Sequence, residues 1–440
     1  MYLEPKNGWT SRRITSVLLV AGLCISGVQA AAEVTITALL PFTKIDSAAQ
    51  MTEDLYARFH EANPDITIEF DYLEHDAYHT KMQTLAISGN LPTILTLWPG
   101  KRTGYLTDTG YAMDLRAMIE ADNIAATQKA VFLSPQGANG EIYELGMPLV
   151  NYSNVVYANK ALLGELGLDY PATLAQFEQQ ASEIIAAGIR PVVYGDQSAW
   201  VMQSCMLSML TARIGGLEWF DQARRGDGAN FADAEFVNSL ETITRMVESG
   251  LISESEPSTT REQAMSLFVS GRSAYMIGGI WEVSNLKNAL TEEQQATIGM
   301  YTFPEIEGQL TSSASSSGAL NTGYGISVGN SEEDTAAAWE WIKFVIDYSN
   351  ADIATQYGSL PVYAEGGIEP FLSNPLDLES YRFSSGIETV LPVLDDKMDA
   401  EGVNEIINKG LQELILGDTT AEEIAQKYET WVAANDSNRL

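Results

Sequence analysis

The sequence predicts an α/β fold of two lobes, and three observations carry that reading. Strand and helix patterns alternate through the first third in the order βαβαβ, which implies a parallel sheet with right-handed crossovers. The chain is 440 residues long, more than one hydrophobic core usually supports. Within Ala264–Asn288, a helix, a Ser-Gly stop, a small-residue strand and paired glycines lead to Trp281. That places Trp281 at the carboxyl end of a strand, where open α/β sheets bind their ligands.

The elements follow in order. Val34–Leu40 is a near-continuous apolar run closed by Pro41. Met51, Leu55 and Phe59 recur at i, i+4, i+8, a helical stripe that stops before Asn63-Pro64. Ile66, Ile68, Phe70 and Tyr72 alternate as a half-buried strand; a helix over 77–88 and a strand over 93–97 complete the unit. Leu149–Tyr157 reads as one strand interrupted at Asn151. Thr173 with Gln176 forms a capping box for a helix carrying Phe177, Ala181, Ile184 and Ile185 on one face. Pro191–Tyr194 is the next strand, and Met202–Ile214 and Asn238–Ser249 read as helices. Gly308–Gly325 is a Ser/Gly-rich loop, too short and interrupted for a flexible linker, and fits a crossover or pocket-lining segment. A helix over 331–348 points Ala338, Trp341, Ile342 and Val345 at a core, and Thr420 with Glu423 caps a last helix through Ile424, Tyr428 and Trp431.

Residues 1–30 have the form of a secretory leader. Arg12 and Arg13 precede the apolar Ile14–Val28, and Val28-Gln29-Ala30 gives a small-residue cleavage site. Leu23 before Cys24 does not suit the bacterial lipid-attachment motif. Cleavage removes Cys24 and leaves Cys205 alone, so no intrachain disulfide is available. The chain carries −34; the leader holds Lys6, Arg12, Arg13 and Glu4, a net +2, so the mature charge is −36. Such a field repels nucleic acid and anionic lipid and favours a soluble monomer, and it also suits a salty habitat.

Several short motifs occur in a fixed order: Asn63-Pro-Asp-Ile-Thr-Ile68 after the first helix, then Lys81 with Ala86-Ile-Ser-Gly89-Asn-Leu-Pro92, where Thr93 stands in place of an Asp. Thr96-Leu-Trp98 and Gly110-Tyr-Ala-Met-Asp-Leu115 follow, then Tyr143-Glu-Leu-Gly-Met-Pro148 and Val156-Tyr-Ala-Asn159-Lys160. Gly325-Ile-Ser-Val, the helix Ala336–Phe344 and Leu360-Pro-Val362 complete the series. Together they resemble the family 1 extracellular solute-binding proteins, the maltose-binding-protein-like sugar receptors of ATP-binding-cassette importers. That resemblance implies a two-lobed periplasmic-binding-protein fold, type II-like, with a cleft between lobes joined by crossing segments. It places the crossings near 150–154, Phe303 and 358–362, with lobes of 33–151 plus 304–358 and 152–303 plus 359–440. It implies a periplasmic, monomeric, non-enzymatic protein that closes on a mono- or oligosaccharide and delivers it to a membrane permease, with no cofactor.

The candidate ligand residues are Phe42, Trp98, Lys101, Arg102, Tyr152, Asp196, Gln197, Trp200, Gly279 and Trp281. Trp98 and Trp281 follow strands, and a flat ring there suits stacking on a sugar's C–H face; the alternative for each is core packing. Lys101 and Arg102 offer donors to hydroxyls or a carboxylate, or are solvated loop charges. The resemblance implies a contact at Tyr152 and a cleft loop at Asp196, Gln197 and Trp200, a polar group beside an indole. Asn321 and Tyr324 are weaker candidates. His75 and His79 lie four apart and invite a metal reading, against which stand only three histidines and no cysteine partner. Fifty-nine acids make carboxylate pairs unavoidable, so none singles out an acid and base. A secreted carbohydrate hydrolase and a metal or anion carrier are the alternatives.

Overall fold

The computed structural model describes residues 33–435 apart from 45, 99–101, 321 and 365. The expected leader over residues 1–30 lies outside the described residues. The strands are β1 (Val34–Leu40), β2 (Ile66–Tyr72), β3 (Ile94–Leu97), β4 (Val150–Tyr152), β5 (Val155–Asn159), β6 (Arg190–Val193), β7 (Ser273–Gly278), β8 (Ile298–Tyr301), β9 (Ser315–Leu320), β10 (Gly323–Ile326) and β11 (Thr389–Leu391). They form three sheets, ordered β10-β3-β1-β2, β6-β7-β5-β8 and β11-β9-β4.

The first sheet builds one lobe. β1 pairs in parallel with β2 and β3, as the βαβαβ pattern predicts, and β10 returns antiparallel to β3. Helix Ser47–Ala62 buries Leu55 and Phe59 against this sheet, and helix Glu332–Val345 adds Ala338, Trp341, Ile342 and Val345. Trp341 is fully buried, with Phe59, Phe70 and Tyr56 edge-on around it at 5.4, 5.8 and 6.4 Å. Aromatic rings meeting edge to face add to plain area burial.

The second sheet is the centre of the other lobe. β6 and β7 are parallel, and β5 is antiparallel to both β7 and β8. Its core joins Phe177, Phe231 and Phe236 to Tyr428 of the last helix, Ala421–Asn435. The Thr420–Glu423 box forms as predicted: Glu423 N donates to Thr420 Oγ1 at 3.2 Å and Thr420 N to Glu423 Oε2 at 3.4 Å. At Thr173 only half the box closes. Thr173 Oγ1 accepts from Gln176 N, but Gln176 Oε1 takes the amide of Ala172 instead.

The segments between the lobes differ from expectation. Leu149–Tyr157 is two strands in different sheets, β4 and β5. The break falls at Ser153-Asn154, whose side chains donate to the carbonyls of Ser204 and Cys205. The Ser/Gly-rich loop contains β9, antiparallel to β4, and β10. Its pattern escaped because Ser315, Ser316 and Ser317 are fully buried without being apolar, and a Cβ on Gly318 would sit 2.9 Å from the Asn151 carbonyl oxygen. Small side chains are what this close packing requires.

The chain after Phe303 is held by one buried cation. The buried Arg213 makes five hydrogen bonds: Nη1 donates to the carbonyls of Phe303 and Pro304, Nη2 to those of Ser313 and Ser315, and Nε to Ser315 Oγ. Ile306 is buried in the second lobe's core. The ends of the segment 303–315 are thus tied to Arg213 and its middle packs into that core, directly before β9 begins. Tyr363 Oη donates to the Asp347 carbonyl, and Tyr348 Oη to that of Gly367, so residues 359–367 remain with the first lobe before Leu376 and Phe383 join the second.

Arg213→Ala leaves these carbonyls without partners. Each buried acceptor so orphaned costs about 1–3 kcal/mol, so the variant should lose roughly 3–5 kcal/mol of unfolding free energy. Denaturant unfolding should show it as a lower midpoint, and a loss below about 1 kcal/mol would contradict this anchoring.

Candidate functional site

The carboxyl ends of the two main sheets face a cleft of about 1400 Å³. On the first lobe Phe42 follows β1, and Trp98 follows β3. Both line the cleft. Trp98 is held from behind by Tyr78 and His79, whose rings lie 5.9 and 5.0 Å away, and His79 Nδ1 is 3.1 Å from Tyr105 Oη. That arrangement ties His79 into an aromatic cluster. Among the described residues no group of three or more His, Cys, Asp or Glu is placed to hold a metal ion; the His75 side chain lies outside the description. Tyr324 also lines this wall, with its hydroxyl 3.5 Å from Thr52 Oγ1.

The opposite wall comes from the second lobe. Tyr152 ends β4, is mostly buried, and meets Phe383 edge-on at 5.7 Å. Gln197 and Trp200 come from the turn after β6, and Trp281 from the turn after β7. The two indoles are 6.0 Å apart and inclined at 48°. The turn holding Trp200 includes Ala199 at φ 63°, a left-handed conformation that a residue with a Cβ rarely adopts.

Two of the proposed residues sit behind this surface. Asp196 is fully buried, and its Oδ1 accepts from Met202 N, so it caps the helical segment that follows. Burial pushes its carboxyl up to about 7. It shapes the loop and does not face the cleft. Gly279 is covered by the Trp281 ring, since a Cβ there would lie 2.2 Å from the indole, and its carbonyl accepts from Tyr157 Oη. Its missing side chain serves its own neighbour. Lys101 and Asn321 lie outside the described residues.

Arg102 reaches across the cleft. It pairs with Asp395 and lies 3.6 Å from Asp396, both on the short helix Leu394–Lys397 of the second lobe, and its guanidinium is 5.9 Å from the Trp98 ring. Burial pushes the Asp396 carboxyl up to about 7, with Asp395 adding to the shift and Arg102 and Lys397 opposing it. The buried Glu144 lies on the first lobe's side, accepts from Gly323 N at 2.8 Å, and is raised mainly by burial, with a further contribution from Asp396. Two weaker bridges join the lobes elsewhere: Ser47 Oγ to Asn285 Oδ1 at 3.4 Å, and Lys287 Nζ to the Thr355 carbonyl at 3.0 Å.

Sequence reasoning missed Arg261, Glu282, Asp395 and Asp396. Arg261 lines the cleft, with its guanidinium 5.5 Å from the Trp200 ring. Its only local signal was the Thr260–Gln263 capping box that starts its helix. Glu282 was adjacent to the Trp281 already singled out. Asp395 and Asp396 had nothing to separate them from the other acids.

The pattern of the bacterial extracellular solute-binding proteins matches residues 43–351. A protein of Brucella abortus (strain 2308), named as a binding protein, is 22% identical over 413 residues, covering 91% of this chain and 93% of its own. A structure described as a chitin oligosaccharide binding protein superposes with a TM-score of 0.78 at 24% identity, over 91% of this chain and 99% of its own. The maltose/maltodextrin-binding domain MalE of Bdellovibrio bacteriovorus, bound to maltotriose, gives 0.71 at 18% identity over 91% and 99%. These likenesses show a shared two-lobed fold around a cleft. With the family pattern spanning most of the chain, the protein belongs to the bacterial extracellular solute-binding proteins.

Proposed function

We propose that this protein captures a mono- or oligosaccharide between its lobes and delivers it from the periplasm to an ATP-driven import permease. The observation that carries the reading is the pair of opposed aromatic walls, Trp98 on one lobe and Trp200 with Trp281 on the other. Indoles bury the C–H faces of a sugar ring, while a few polar side chains fix its hydroxyls. Phe42, Tyr152 and Gln197 are the further contacts in this reading. The sugar ligands named for the two structural relatives point the same way.

Capture proceeds by closure. The lobes, residues 33–151 plus 316–371 and 152–315 plus 372–435 in this reading, rotate about β4, β9 and the third crossing. Ligand contacts to both walls stabilise the closed form over the open one. Arg102 acts as a bridge between lobes, adding an ion pair to Asp395 that exists only when they meet. No step of bond making or breaking is involved.

A thermal-shift screen against a panel of mono- and oligosaccharides tests the proposal, because a ligand bound only by the folded state raises the melting temperature by mass action. One class of sugar should shift it, and prolonged incubation should return that sugar unchanged. No shift with any sugar, or its cleavage, would overturn the reading.

Trp281→Ala should weaken the best sugar by roughly 2–4 kcal/mol, as for an aromatic hot spot. The ring is only partly buried, so the unliganded variant should lose less than the 3–5 kcal/mol or so of a fully buried aromatic. Calorimetric affinity and the ligand-free melting temperature, measured together, separate the two effects.

The Asp396 carboxyl, raised from 3.8 to about 7, prefers its proton in the folded, lobe-to-lobe arrangement. Its contribution is fully present below about pH 4 and is lost as pH rises through about 7. The melting temperature of Asp396→Asn relative to wild type should therefore rise between about pH 4 and 7 and level off above that. A pH-independent difference would contradict the assignment.

A further inference from the structure

Glu282 joins three polar side chains of the second lobe's aromatic wall. Its Oε1 accepts from Arg261 Nη2 at 2.5 Å and from Trp281 Nε1 at 3.0 Å; its Oε2 accepts from Asn285 Nδ2 at 2.8 Å. It is 7% exposed and opens helix Glu282–Ala289, whose N-terminal dipole favours a carboxylate. Arg261 Nη2 and Trp281 Nε1 thus share one acceptor, while Trp281, Arg261 and Asn285 all line the cleft in front of it.

We infer that Glu282 is the positioning residue of this wall, and that its pairing with Arg261 sets the cleft for neutral sugars over uronic acids. The inference rests on the sugar-binding reading and deepens it. Arg261 stays charged, because its guanidinium is raised by Glu282. Its charge is nonetheless already met. A sugar hydroxyl can accept from the guanidinium N–H groups left over without disturbing the pair.

A uronate faces a different balance. Its carboxylate can reach the same left-over N–H groups, but their charge is already balanced by Glu282. Two carboxylates would then share one cation in a largely desolvated site, and the desolvation of the second is not offset. Asp46 and Glu262 also line the cleft near Arg261, and neither favours an incoming anion. The indole geometry depends on the same carboxylate. Removing the Nε1 acceptor frees Trp281 to rotate off the face it presents.

The test compares maltotriose, cellotriose, galactotriose and xylotriose with triglucuronate, trigalacturonate and glucuronosyl-xylotriose, by calorimetry on wild type and Glu282→Gln. Wild type should bind its best neutral trisaccharide at least about tenfold tighter than any uronate. Glu282→Gln removes the charge and should lower that ratio by about tenfold or more, through weaker neutral binding and stronger uronate binding. A merely structural role would weaken both classes alike. Trp281→Phe, which removes the Nε1 donor and part of the ring face but leaves the Arg261–Glu282 pair intact, should weaken the neutral sugar and keep the ratio. It serves as the second variant should Glu282→Gln not fold. A wild type that prefers a uronate, a ratio unchanged in Glu282→Gln, or a neutral affinity unchanged in Trp281→Phe overturns the inference. If none of these binds but a monosaccharide of the thermal-shift panel does, glucose, galactose and xylose against glucuronate and galacturonate take their place; if no sugar binds at all, the sugar reading itself fails.

Discussion

The Arg213 guanidinium is the fixed point of the fold. It is fully buried and holds the carbonyls on both sides of residues 305–312. Burial lowers the guanidinium to about 10, which still leaves it charged at neutral pH. A charge so placed is tolerable only with its donors satisfied. That requirement ties the chain to the second lobe until β9 begins. The start of the crossing strand is set by hydrogen-bond accounting, and β4 can pair with it in a single register.

From that register the cleft follows. β4 and β9 carry the chain between sheets whose carboxyl ends face one another, so the turns after β1 and β3 look across at those after β6 and β7. The walls are built differently. Trp98 packs against Tyr78 and His79 with Arg102 beside its ring, whereas Trp281 donates its Nε1–H to Glu282 and Trp200 has Arg261 beside its ring. Packing tolerates small shifts, but a shared carboxylate does not.

Much of this was legible in the sequence, and the failures share a cause. β1, β2 and the helix carrying Trp341 announce themselves by apolar periodicity, because burial of one face drives their formation. β9 lacks that signal: its inward residues are serines, chosen for size. Trp98, Trp200 and Trp281 were found at the cleft because strand ends are predictable from strands. Asp196 and Gly279 were misplaced because a turn's position does not say which of its groups faces inward. Asp395 and Asp396 belong to the cleft through contacts nearly three hundred residues away from Arg102 in sequence, which no local pattern encodes.

Gly279 lets the Trp281 ring lie directly on the backbone, with Glu282 gripping its nitrogen from the side. A side chain that is free in solution loses about 0.5–1.5 kcal/mol of rotamer entropy when a partner immobilises it. Here the immobilisation is complete before any partner arrives, and its cost is met by folding. The ring therefore behaves as part of the scaffold. In the capture proposed above, the ordering cost left to association falls on the rotation of the lobes, which makes its timing a property of the crossing strands and not of the aromatic surface.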